Sequence, residues 1–264
     1  MKLYHLHKFD QRLFLDSFFS TTCDQTLMEE LVGFPTRIIS KQCAAGEIKG
    51  KRLIDISVGS TFFHLIPVCE SFSDFFLLEF SDSSIREMEA WKNKGRVAID
   101  WSHASQFAEE LGINSAKWKE KEDILRSKIK NISKIDFNQE HPADLSVLPK
   151  ADCVISLYVM HNISESPDSF YRSIQTLASF MKPDGVLLLF GGYNASFYMV
   201  GENKFFPLPI TQDMLMEALD RAGLTILCYE TLQSKVRSSS IHYERLFFVK
   251  AGKLRKSLEN NCNW

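Results

Sequence analysis

Two uninterrupted apolar runs, Cys153-Val-Ile-Ser-Leu-Tyr-Val159 and Val186-Leu-Leu-Leu-Phe190, constrain this chain more than any other feature. Strands without polar alternation must be covered on both faces, as in a parallel sheet between two layers of helices. The residues between the runs agree. Across 169–181, Phe170, Ile174, Leu177, Ala178 and Met181 share one helical face, and Pro183-Asp-Gly185 stops the helix and opens the next strand. Strand runs are read at 52–56, 75–80, 132–137, 152–159, 185–190, 225–229 and 245–250. A further helix over 210–222 takes Thr211 as N-cap and Gly223 as stop. This alternation predicts an α/β fold with a doubly wound, mostly parallel sheet.

Two regions depart from the alternation. Residues 1–48 read as an N-terminal helical extension with an aromatic stripe of Phe9, Leu13, Phe14, Phe18 and Phe19. Residues 95–131 exceed an ordinary connection, and 116–130 read as a solvated amphipathic helix around Trp118, Ile124, Leu125 and Ile129. The body, 49–253, is one domain, and 254–264 is expected to be a flexible tail. A net charge of −2 with interleaved signs argues against nucleic acid or an anionic membrane as partner. No apolar run approaches membrane-spanning length, and the N-terminus lacks the apolar core of a leader. The six cysteines show no Cys-x-x-Cys spacing. A soluble, cytosolic monomer with reduced thiols is expected.

Chemistry concentrates at the strand ends. Leu53-Ile-Asp-Ile56 carries Asp55 into a turn at Gly59. The next strand finishes at Glu79, which can accept both hydroxyls of a ribose, and the third finishes at Asp136, within reach of an adenine amino group. These three acids belong to the edge where open α/β sheets bind ligands. They fit an adenosine-type methyl donor or a dinucleotide equally. No phosphate-binding Gly-x-x-x-x-Gly-Lys-Ser/Thr run, no Gly-x-Ser-x-Gly elbow and no metal-ligand spacing occurs. His161 follows the fourth strand, where a pocket wall belongs; it is read either as that wall or as a polar loop residue.

Longer segments then add a family resemblance. Leu53-Ile-Asp-Ile56, Cys69-Glu-Ser-Phe72, Asp100-Trp-Ser102, Ala151-Asp-Cys-Val-Ile-Ser156, Lys182-Pro-Asp-Gly185 and Tyr198-Met-Val-Gly-Glu-Asn-Lys-Phe205 occur in order. In these the chain resembles the nicotinamide, phenylethanolamine and indolethylamine N-methyltransferases, from Phe9 to about Lys253. The resemblance implies a class I methyltransferase fold of seven strands with a C-terminal antiparallel hairpin and an N-terminal lid. It also implies transfer of the methyl of S-adenosylmethionine to a small amine or azaheterocycle, without a metal. Carried over by position, the donor would meet Phe14, Phe19, Ser57, Val58, Gly59, Thr61, Phe63, Glu79, Ser84, Asp136, Phe137 and Leu157. The acceptor would lie near Phe14, His161, Gly191 and Tyr198.

The departures from the family pattern are local. Its Gly-Ser-Gly-Pro-Thr turn reads Ser57-Val-Gly-Ser-Thr61 here, and β-branched Val58 is expected to strain that turn. Three family tyrosines stand as Phe14, Phe19 and Phe63. At roughly 0.5–1.5 kcal/mol for each lost hydrogen bond, donor affinity is expected to fall by on the order of 2–4 kcal/mol. Acceptor-side carboxylates of the family are replaced by His161 and Gly191. Two main readings remain at this stage, an active N-methyltransferase with an altered acceptor and a catalytically silent member retained as a binding protein; a nicotinamide-dinucleotide oxidoreductase on the same sheet is a third, disfavoured because its diphosphate would need a glycine-rich turn that this chain lacks.

Overall fold

The computed structural model describes residues 10–20, 23–96, 98–110, 117–137, 139 and 148–253. Seven strands form the central sheet: β1 (Arg52–Asp55), β2 (Asp74–Glu79), β3 (Ile129–Lys134), β4 (Ala151–Leu157), β5 (Met181–Tyr193), β8 (Leu224–Gln233) and β10 (Arg245–Lys253). Their order is β3-β2-β1-β4-β5-β10-β8. All neighbours from β3 to β5 pair in parallel, whereas β10 runs antiparallel between β5 and β8. The order reverses between β1 and β4, and at such a switch point an open sheet leaves a crevice at its carboxyl edge. Leu53, Ile54, Val154, Ile155, Leu187 and Leu188 are fully buried, as the apolar runs require.

Helices α4 (Asp82–Lys92), α5 (Ser102–Glu110), α6 (Trp118–Lys128), α7 (Met160–Ile163), α8 (Pro167–Phe180) and α9 (Gln212–Arg221) occupy the connections. The caps explain their ends. Ser166 accepts from the Ser169 N–H in a capping box, Thr211 accepts from the Met214 N–H, and Gly223 takes the left-handed φ of +66° that ends α9. Before the sheet come α1 (Gln11–Phe18), α2 (Gln25–Met28), a π turn (Glu29–Gly33) and α3 (Phe34–Ala44). Phe14, Phe18 and Phe19 are buried as the stripe predicts, but Leu13 is 42% exposed; Phe9 and the tail from 254 onward lie outside the described residues.

Two sequence readings need correction. The third strand lies three residues earlier than expected, at Ile129–Lys134, because α6 ends at Lys128 and the chain enters the sheet at once. Asp136 and Phe137 therefore follow the strand instead of closing it. The chain also contains a small second sheet that periodicity did not reveal: β6 (Phe197–Val200) pairs with β7 (Asn203–Phe205) and β9 (Ile241–His242).

Candidate functional site

At the β1 tip the sequence builds a closed polar knot. The Ser57 hydroxyl donates to Asp55 Oδ1 at 2.7 Å and accepts the Leu157 N–H at 3.2 Å. His64 Nε2 lies 2.8 Å from the same Asp55 oxygen and 3.1 Å from Ser57 Oγ. All three side chains are buried. One ring nitrogen serves both partners, so this is not the relay of a hydrolase, whose acid and nucleophile engage opposite nitrogens. The knot ties β1 to β4: the Ile56 and Val58 N–H groups donate to the Ile155 and Leu157 carbonyls, each at 2.9 Å. Within the turn only Gly59 has a left-handed φ, +61°. Val58 therefore does not carry the backbone strain expected of it.

Gly59 is needed for space as well as for its angle. A Cβ there would stand 2.8 Å from Gln11 Oε1 and 3.3 Å from the Phe14 ring. Gln11, brought in by α1, lies across the turn. Its carboxamide oxygen accepts the Ser60 N–H at 3.0 Å and the Ser60 hydroxyl at 3.1 Å, and its amide donates to Ser84 Oγ. Thr61 closes the turn by donating to the Val58 carbonyl at 3.1 Å.

Glu79 stands at the β2 tip with no exposure. Its Oε1 accepts the Phe80 and Ser81 N–H groups at 2.7 and 3.1 Å. Burial nevertheless pushes its carboxyl up to about 8, against the pull of those two hydrogen bonds. The Ile135 N–H donates to the Glu79 carbonyl at 2.9 Å, which draws Asp136 alongside, and the Phe137 ring stacks on Phe80 at 5.6 Å. Glu79, Asp136, Phe137, Ser84 and the 57–61 turn thus share the carboxyl edge of β1, β2 and β3.

An aromatic wall crosses from this edge to the opposite side of the crevice. Ring centroids are 5.5 Å apart from Phe63 to Phe19, 5.3 Å from Phe19 to Phe14, 5.4 Å from Phe14 to Phe18 and 6.4 Å from Phe18 to Tyr198. Behind it lies a cavity of about 60 Å³. Phe14, Phe19, Val58, His161 and Tyr198 line it, together with Tyr158, Asn162 and Tyr243, which the sequence reading did not single out. His161 is 7% exposed, and its ring makes no hydrogen bond among the described residues; burial lowers it to about 4, so it is neutral. The buried Tyr158 hydroxyl and Asn162 Oδ1 likewise have no partner there. Tyr158 also holds a φ of +55°, a strained angle for an aromatic residue. Gly191 sits in β5 beside the Phe247 ring, which would be 2.5 Å from any Cβ. Among the described residues no group of His, Cys, Asp or Glu is placed to hold a metal, and no helix is long and apolar enough to cross a membrane.

This fold, with its crevice at the β1/β4 switch point, is that of the S-adenosylmethionine-dependent methyltransferases. A methyltransferase of this kind from Methanosarcina mazei superposes with a TM-score of 0.55, covering 80% of this chain and 97% of its own at 12% identity. A glycopeptide N-methyltransferase in complex with S-adenosyl-L-methionine gives 0.53, covering 83% and 94% at 10% identity. The sequence goes further. It matches the NNMT/PNMT/TEMT family over residues 2–254, and the chain belongs to that family. It is 31% identical to the nicotinamide N-methyltransferase of Homo sapiens over 254 residues, 96% of each chain. It is 34% identical to the indolethylamine N-methyltransferase of Oryctolagus cuniculus, over 81% of this chain and 82% of that one.

Proposed function

We propose that this protein transfers a methyl group from S-adenosylmethionine to the nitrogen of a small amine or azaheterocycle, working as a cytoplasmic monomer without nucleic acid. The observation that carries this reading is the pairing of a desolvated carboxyl, Glu79, with a neutral, unpartnered imidazole, His161, on opposite sides of one aromatic wall.

The donor half of the site suits a nucleoside. Glu79 is fully buried, and a ribose diol offers it two hydroxyl donors; Asp136 suits the adenine amino group, and the Phe80–Phe137 stack suits its ring. Gly59 leaves room for the amino-acid chain, with Ser57, Val58, Thr61, Phe63, Ser84 and Leu157 around it, once Gln11 swings away. When bound, S-adenosylmethionine would supply an electrophilic methyl on a sulfonium sulfur, a leaving group that needs no proton, for the lone pair of the acceptor nitrogen. The protein's share is alignment and dryness. Phe14, Phe19 and Phe63 shield the transfer from water, and Tyr198 packs the far wall. His161, held neutral by burial, accepts a hydrogen bond from the acceptor without repelling the charge that develops there.

The test is incubation with methyl-labelled S-adenosylmethionine and a panel of small amines and azaheterocycles. Label should appear on at least one nitrogen and vanish in Glu79→Ala. Transfer that survives Glu79→Ala at the same rate refutes the site assignment. The helical segment 1–48 is proposed to act as the lid of the 49–253 domain.

A further inference from the structure

Methylation of a neutral nitrogen creates a positive charge inside the cavity, and a dry site needs something to balance it. Among the described residues, the side chains that face the cavity include no carboxylate. One stands just behind them. Glu30 is 3% exposed and sits in the π turn Glu29–Gly33, an irregularity often found at functional positions. Its Oε2 accepts the Tyr243 hydroxyl at 2.7 Å, and its Oε1 accepts the Lys235 N–H at 2.6 Å. No cationic side chain among the described residues pairs with it. Tyr243 and Tyr158 both line the cavity, and burial first, then the nearby Glu30, opposes ionisation of both phenols.

A buried carboxylate without a cation is costly to retain, since it must be desolvated with no opposite charge to compensate. Here the missing cation has a natural place. The Tyr243 hydroxyl donates a hydrogen bond to Glu30 and is also hydrogen-bonded by the Ser234 side chain, and because Tyr243 lines the cavity the negative potential of Glu30 is carried to it through this short network. We propose that Glu30, acting through Tyr243, is the positioning residue that balances charge on the acceptor: it favours the nitrogen in its methylated, cationic form over its neutral form. The proposal rests on the methyl-transfer reading. Glu30 exchanges no atom or proton in the step.

Quinoline and N-methylquinolinium serve as probes for the neutral and cationic forms. Their affinities are read by calorimetry for the wild type, Glu30→Gln and Tyr243→Phe, each saturated with S-adenosylhomocysteine. Glu30→Gln is expected to weaken N-methylquinolinium about tenfold while quinoline stays within about twofold. Tyr243→Phe, which spares the buried carboxylate, is expected to shift the ratio in the same direction by less. With quinoline as acceptor, kcat should fall in both variants and KM should hold. Equal losses for the two probes, or an unchanged ratio in both variants, overturn the role of Glu30. A wild type that binds S-adenosylhomocysteine but neither probe overturns it as well. A wild type that fails to bind S-adenosylhomocysteine removes the methyl-transfer reading itself.

Discussion

On the donor side of the aromatic wall the chain satisfies most of its own polar groups; on the acceptor side it leaves several without a partner. Gln11 engages the Ser60 N–H, the Ser60 hydroxyl and Ser84, and Ser57, Asp55 and His64 engage one another. Across the wall, the His161 ring, the Tyr158 hydroxyl and Asn162 Oδ1 have no hydrogen-bond partner among the described residues. A donor must therefore displace contacts that already exist, and its affinity is a difference of two binding terms. An acceptor supplies partners that buried groups lack, and it is rewarded for every hydrogen bond it completes. One donor-side exception is buried His64 Nδ1, which has no hydrogen-bond partner among the described residues; the other is Glu79, a carboxyl whose burial the chain does not fully offset.

The largest effect tests the second exception. Above about pH 8, where its carboxyl is charged, Glu79→Ala should weaken S-adenosylmethionine by on the order of a hundredfold or more, because hydrogen bonds to a charged group contribute roughly 1.5–3 kcal/mol each. An affinity within a few-fold of wild type, read by calorimetry, would remove the ribose contact from the account.

Restoring an acid at the acceptor side should fail for want of space. Gly191→Asp drives a Cβ into the Phe247 ring and buries a charge, so about 3 kcal/mol or more of stability should be lost. At roughly 2–4 °C per kcal/mol for a domain of this size, Tm should fall by on the order of 5–10 °C in a calorimetric scan. A full-stability variant would show that Phe247 does not own that volume.

Gln11→Ala removes the competitor and should tighten donor binding about 3- to 30-fold, the worth of one or two net hydrogen bonds. Weaker binding would instead make Gln11 a donor contact.

The two sides should also differ in pH dependence. Glu79 holds its proton up to about 8 in the folded protein but only to about 4.5 when unfolded. Between these values the native state binds the extra proton, so stability falls as pH rises. His161 is lowered to about 4 from 6.5, so its contribution has the opposite sign: stability is lost as pH falls from 6.5 towards 4. Between pH 4.5 and 6.5 the two contributions oppose each other, so in thermal scans stability should rise with pH there in Glu79→Gln and fall in His161→Phe, and the fall between 6.5 and 8 should disappear in Glu79→Gln. Donor affinity should rise with pH through about 8, since the ribose hydroxyls favour the charged carboxylate.

Much of this frame is legible in the sequence because it is local. Apolar runs, helical faces, Ser166, Thr211 and Gly223 act within a few residues, and each of them marks its element. The strand ends gave Glu79 and Gly59 their positions for the same reason. β3 slipped by three residues because charged α6 runs straight into it, with no glycine or proline to mark the border. What the sequence hides is long-range pairing. Gln11 meets Ser84 across 73 residues, and Glu30 meets Tyr243 across 213. No periodicity signals such pairs. Ser57 and His64 are a different case: they hold the turn by hydrogen bonds to each other and to Asp55, and a hydroxyl seven residues before a histidine carries no pattern of its own.

A donor-side turn already bridged by Gln11 should still take S-adenosylmethionine. Calorimetric titration of the wild type with that donor tests it most directly. The account predicts saturable binding with Kd on the order of micromolar to tens of micromolar. No heat of binding up to about millimolar donor would contradict it, and would leave a methyltransferase fold kept for some purpose other than methyl transfer.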